Sequence, residues 1–185
     1  MKNYKREYPL FSLCGLNCGL CPIHHMDNGC PGCGGGEGHQ SCAIVKCSLQ
    51  HGAVEYCWQC GEYPCERYDG IMDYDSFMTH KNMFSDFDKA QRIGLDAYRA
   101  ELEEKAAILR TLLEGYNDGR RKTCFCQAVT LLELPDIRDV MKRLAVETDP
   151  QAPVKEKAAL AVKLFQDMAD QRQIVLKLNR KPKKK

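Results

Sequence analysis

Basic residues are almost missing from residues 14–65, where Lys46 is the one Lys or Arg. A nucleic-acid-binding knuckle needs cations beside its turns to meet phosphates, so nucleic acid is not an expected partner. Long apolar runs are missing too. Nothing approaches the roughly 20 residues of a membrane-spanning helix, so no membrane partner is expected. The basic start at Lys2, Lys5 and Arg6 is followed by no apolar core of a secretory signal, because residues 8–13 are too short a piece. A cytoplasmic location is therefore expected. No carboxylate pair, nucleophile–base set or phosphate-binding loop stands out. Glu37, Glu55 and Glu62 lie near cysteines but read as loop residues. No catalytic residue and no small-molecule substrate is assigned. No repeat of solenoid length is present.

Oil is scarce in the same stretch. Its large aliphatics are Leu16, Leu20, Ile23, Ile44, Val45, Leu49 and Val54. A segment of about fifty residues with so little to bury cannot offset its own ordering entropy unaided. What the stretch has instead is cysteine. Ten of the chain's 12 cysteines fall between Cys14 and Cys65. In a reducing cytosol such a set implies metal rather than disulfides.

Three pairs have C-x-x-C spacing: Cys18/Cys21, Cys30/Cys33 and Cys57/Cys60. A tight turn of that length directs both sulfurs to one side and turns backbone N–H groups toward them. Pro31 and the trailing Gly34 suit such a turn, and Gly61 trails the third pair in the same way. Cys42 and Cys47 are five apart, and Cys14 and Cys65 flank the set. The expected metal ligands are thus Cys14, Cys18, Cys21, Cys30, Cys33, Cys42, Cys47, Cys57, Cys60 and Cys65. Two zinc ions, each held by four thiolates, use eight of them. One order puts Cys18, Cys21, Cys30 and Cys33 on the first ion and Cys42, Cys47, Cys57 and Cys60 on the second. An interleaved order stays open, because spacing defines pairs better than partners. An iron–sulfur cluster is the alternative cofactor. His24, His25, His39 and His51 lie among the thiols; any of them could replace a cysteine as ligand, and most are expected to face solvent or to support ligands. The C-x3-C-x2-C run Cys14, Cys18, Cys21 and the Gly34-Gly35-Gly36-Glu37 run resemble elements of radical S-adenosylmethionine enzymes. That reading is rejected, since Leu20 stands where an aromatic belongs and the downstream chain lacks alternating strands and helices.

From about residue 80 the pattern changes to helical periods. A helix is expected over 81–92, with Met83, Phe84, Phe87, Ala90 and Gln91 on one face, and Gly94 breaks it. A second runs over 95–114, with Leu95, Tyr98, Leu102, Ala106, Leu109 and Leu113 as its stripe. Asn117, Asp118 and Gly119 stop it. A third spans 120–132, carrying Cys124 and Cys126, which are expected to be one buried and one nearer the surface. Pro135 suits a first turn before Ile137, Val140, Met141 and Leu144. A last helix covers 153–168, with Val154, Ala158, Ala161, Phe165 and Met168 inward. A short strand is expected at 8–13, a short strand or a frayed end at 173–178, and a short helix at 43–50. The tail over 179–185 is basic and expected to be a solubilising end. The net charge of +2 hides this asymmetry: the six cations of residues 177–185 set aside, 21 basic residues face 25 acidic ones. The expected fold is thus α plus irregular: a cysteine-rich, metal-stapled domain over 1–70 packed on a mostly helical domain over 71–185.

The ordered run Cys14-Gly15-Leu16-Asn17-Cys18-Gly19-Leu20-Cys21-Pro22, then Cys30-Pro31-Gly32-Cys33, Cys42 to Cys47, Tyr56-Cys57-Trp58-Gln59-Cys60 and Tyr63-Pro64-Cys65 resembles the family called domain of unknown function number 3795. These are small cysteine-rich proteins of bacteria and archaea. The resemblance implies zinc binding and brings no activity with it. The loop between Cys21 and Cys30 is shorter than the family's. The expected function is a zinc-binding structural module that meets a protein partner. The alternatives are an iron–sulfur electron-transfer protein and a thiol-dependent enzyme.

Overall fold

The computed structural model describes residues 4–39 and 42–182. It is mostly helical, with six α-helices and no strand among the described residues. In chain order they are α1 (Ala43–Gln50), α2 (Met83–Ile93), α3 (Leu95–Gly115), α4 (Lys122–Leu131), α5 (Leu134–Glu147) and α6 (Val154–Gln171). Contacts divide the chain into two units: Met1–Ala100 with Leu178–Lys185, and Glu101–Lys177. The expected boundary at residue 70 falls inside the first unit. Residues 71–100 group with the cysteine loops because Phe87 and Tyr98 share a ring cluster with Phe11.

The first unit has little regular structure. Its lead-in, residues 4–13, does not form the expected strand at 8–13. Its backbone groups bond one at a time to several loops instead of to one neighbouring strand. Arg6 N–H donates to Gly34 O, Cys33 N–H to Pro9 O, Gly19 N–H to Leu10 O and Cys57 N–H to Leu13 O. A single antiparallel bridge joins Lys5 and Gly35. The lead-in is therefore a spine on which three cysteine-bearing loops hang.

Around it lies an aromatic core. Phe11 is fully buried, with its ring centroid 4.7 Å from Tyr98 and 5.2 Å from Tyr56. Trp58 stacks on Tyr56 at 4.3 Å and meets the edge of Phe87 at 4.5 Å. Each such buried ring contributes about 1.5–3 kcal/mol, which compensates in part for the missing aliphatics. Asn17 is buried and paired: its amide donates to Asp86 Oδ2 at 2.8 Å and accepts from the Tyr98 hydroxyl at 3.2 Å. That ties the first cysteine loop to α2 and the start of α3. Gly15 makes the approach to α2 possible. It sits at φ +97, and a Cβ there would lie 2.7 Å from Met83 O.

The second unit is built as the periodicity predicts. α6 packs on α4 and α5. Phe125, Val129, Ile137, Val140, Leu144, Ala158, Ala161 and Phe165 are buried. Pro135 lies in the first turn of α5. Cys126 is buried and Cys124 half-buried, as expected. The stripes are slightly shifted from those read in sequence. Leu112 is buried in place of Leu113, while Gln91 and Val154 are exposed. Residues 173–178 form turns and coil, not a strand.

The start of the basic tail is anchored rather than loose. Asn179 and Asp75 bond reciprocally, N–H to backbone O at 2.7 Å and N–H to carboxylate at 2.7 Å, and Leu178 is buried. Residues 183–185 of the expected tail lie outside the described residues. No described helix is long and apolar enough to cross a membrane.

Candidate metal centre

Local hydrogen bonding repeats around two of the C-x-x-C pairs. Single 3-10 turns, Cys18–Leu20 and Cys57–Gln59, run into Cys21 and Cys60. Cys21 N–H donates to Cys18 O at 3.1 Å and His24 N–H to Cys21 O at 3.0 Å. Cys60 N–H donates to Cys57 O at 3.0 Å and Tyr63 N–H to Cys60 O at 3.1 Å. The same ladder in two places makes these pairs structural echoes of one another. The pair Cys30/Cys33 is built differently: the lead-in closes it through Pro9, and Gly34 takes φ +75 beside Arg6. Gly61, expected to act like Gly34, does not adopt a positive φ. α1 carries the fourth pair, with Cys42 exposed at its N-cap and Cys47 half-buried one turn further on.

Cysteines influence one another both within these pairs and across them. Cys33 and Cys57 both pack against the buried cluster of Tyr4, Leu13 and Val45, which also touches Ile44. Leu13 precedes Cys14, and Val45 lies between Cys42 and Cys47. Burial pushes the Cys14 thiol up to about 11, and neighbouring Cys33 and Cys42 add to it. The Cys18 thiol is raised by burial first, then by Cys33, Cys14 and Cys21. Burial, with Cys14, Cys65 and Cys47 beside it, pushes Cys57 up to about 12. Cys21 is raised by burial, and Cys30 adds to it. Cys14, Cys18, Cys21, Cys33 and Cys42 are thus electrostatic neighbours, as are Cys14, Cys47, Cys57 and Cys65, and Cys21 with Cys30, so these groups overlap. Cys60 follows Cys57 through its turn.

No family model, no curated protein and no solved structure matches the chain.

Donors face several of these sulfurs. The Ser12 hydroxyl lies 3.2 Å from Cys14 Sγ, and the Leu16 N–H also favours that thiolate. Ile23 and His24 N–H groups favour the Cys21 thiolate, the Leu13 N–H and the Arg6 guanidinium favour Cys33, and the Tyr68 hydroxyl favours Cys57. Arg6 is itself buried. It donates to Phe11 O at 2.7 Å and to Glu55 O at 2.6 Å, pairs with Glu55 Oε1 at 3.0 Å and covers the Tyr56 ring. Buried thiols with such donors are neutral at neutral pH when alone. A divalent cation among them displaces their protons, and the donors then carry part of the negative charge. The donor chemistry fits zinc. The convergence is incomplete: among the described residues, no three His, Cys, Asp or Glu side chains come together closely enough to hold an ion.

The histidines divide into three kinds. His24 Nδ1 meets Cys30 O at 2.8 Å and His25 Nε2 meets Gly19 O at 2.8 Å, so both brace the loops. His39 packs edge-on to Tyr4, and neither of its buried ring nitrogens has a hydrogen-bond partner among the described residues. His51 ends α1 beside Cys47, with Nδ1 3.6 Å from Cys47 Sγ and Nε2 3.3 Å from Glu62 Oε1.

Proposed function

We propose that the chain is a zinc-binding protein whose cysteine loops are held in shape by metal. The feature that carries this reading is the set of ten cysteines in residues 14–65, several with hydroxyl, N–H or guanidinium donors beside their sulfurs. Disulfide formation would not call for those donors, whereas thiolates on a cation do. The ten ligand candidates stay as the sequence indicates: Cys14, Cys18, Cys21, Cys30, Cys33, Cys42, Cys47, Cys57, Cys60 and Cys65. The resemblance to domain of unknown function number 3795 is proposed on the same residues. Closed sites of this type leave no open position for a substrate. The role that follows is to shape a surface for a protein partner in the cytoplasm, not to catalyse a reaction.

The test is metal content and visible absorption after anaerobic purification. A colourless protein with about two zinc ions per chain supports the reading. A brown protein with iron and acid-labile sulfide replaces it with an iron–sulfur electron carrier. A chain that takes up neither overturns it.

A further inference from the structure

We propose that Asn28 is a covalent modification site, deamidating through a succinimide formed with Gly29, and that the closed loop between Cys21 and Cys30 holds this reaction back. The site needs no metal and stands apart from the zinc reading above.

The turn requires each of the two residues for its own reason. Asn28 takes φ +54, in the left-handed region that Asn tolerates better than most side chains. Gly29 is wedged among carbonyls: a Cβ there would lie 2.3 Å from Ile23 O and 2.8 Å from both His24 O and Met26 O. Backbone atoms cannot step aside for it, so the position calls for glycine. Asn28 itself is exposed. The fold thus sets a carboxamide open to water beside a following nitrogen that no side chain shields. Asn followed by Gly occurs once in the chain.

The chemistry consumes water alone. The Gly29 nitrogen attacks Asn28 Cγ, a C–N bond forms, the Cγ–Nδ2 bond breaks, and ammonia leaves with the proton of the backbone amide. Water then opens the five-membered imide at either carbonyl, giving aspartate or isoaspartate. A carboxylate replaces the amide, and isoaspartate adds one carbon to the backbone.

In the closed loop the attacking nitrogen is occupied. Gly29 N–H donates to Met26 O at 2.9 Å, and Cys30 N–H donates to Ile23 O at 3.3 Å. His24 braces the far side: its N–H donates to Cys21 O at 3.0 Å and its Nδ1–H to Cys30 O at 2.8 Å. Ring closure requires the peptide between Asn28 and Gly29 to turn and to leave Met26 O, and the three carbonyls around Gly29 block that turn. The reaction therefore runs through the opened loop, and its rate reports how often the loop opens. Isoaspartate, with its longer backbone, no longer fits the turn, so each event permanently alters the loop that joins Cys21 to Cys30.

The test incubates the full-length chain, as purified, in reducing buffer at mildly alkaline pH. Mass spectrometry of the proteolytic peptide containing residue 28 follows conversion, with the aspartate and isoaspartate forms separated by chromatography. Wild type is compared folded and in guanidinium, alongside folded His24→Ala, which loses the brace on Cys30 O. Asn28 is expected to convert in guanidinium and at least about tenfold more slowly in the folded chain. His24→Ala is expected to convert several-fold faster than folded wild type. Asn28→Gly, which suits the positive φ, should show no mass change at this position. Equal rates in folded and unfolded wild type refute the lock. No conversion at Asn28 in guanidinium refutes the site. A folded His24→Ala that reacts no faster than wild type refutes the brace, and if that variant does not fold, the two wild-type rates decide alone.

Discussion

Arg6 is the residue whose loss the first unit should tolerate least. Its side chain is 1% exposed and makes three kinds of contact at once: to carbonyls of Phe11 and Glu55, to the Glu55 carboxylate and to the Tyr56 ring. Arg6→Met removes the charge and keeps much of the stem. Removing one partner of a buried ion pair costs about 3–5 kcal/mol, because the other is left uncompensated. The Glu55 side chain is 28% exposed, which lowers that figure somewhat, although Oε1, the oxygen that faces Arg6, is itself buried. The Phe11 and Glu55 carbonyls push it back up, at about 1–3 kcal/mol for each buried acceptor left unpaired. These contributions share one side chain and do not add, so a loss of about 3–4 kcal/mol is the expected outcome. That is a large part of the roughly 5–15 kcal/mol of an ordinary domain. Urea unfolding followed by Trp58 fluorescence measures it, in zinc and in chelator. Arg6→Lys keeps the charge without the planar fork and should fall between the two. The loss should be greater in zinc, where the Cys33 thiolate that Arg6 faces is charged. A loss below about 1 kcal/mol in both conditions would mean that water reaches the carbonyls, and the burial reasoning would fail.

Three further outcomes are expected. Chelation under reducing conditions should change the fluorescence of Trp58, the chain's one tryptophan, while most far-ultraviolet helical signal, which α4, α5 and α6 supply without cysteine loops, remains; unchanged fluorescence would refute the stapling. Gly15→Ala should destabilise the first unit by more than about 1 kcal/mol, since the added Cβ meets Met83 O at 2.7 Å with φ at +97; thermal melting against wild type checks it. Phe125→Ala, which empties a fully buried position in α4, should cost about 3–5 kcal/mol by urea titration and leave zinc content unchanged.

The helical part was legible because its period is local. Phe87 and Ala90, or Ile137, Val140 and Leu144, lie on one face whatever surrounds them, and the helix bounds follow from Gly94, Pro135 and the break at Asp149 and Pro150. The small errors, such as Leu112 for Leu113, are a few tens of degrees of rotation about a helix axis, which period alone does not resolve. α1 was readable for the same reason. The lead-in was not. Residues 8–13 have the composition of a strand, but a strand needs a partner, and the groups that pair with them come from residues 19, 33 and 57. Nothing nearby in sequence announces that. The cysteine groups show the same division. The turns at Cys18/Cys21 and Cys57/Cys60 are local and form as expected, whereas Cys30/Cys33 is not closed by a turn of its own but from the lead-in by Pro9. Which loops meet depends on the path of the lead-in, whose backbone bonds to residues 19, 33 and 57, one on each loop.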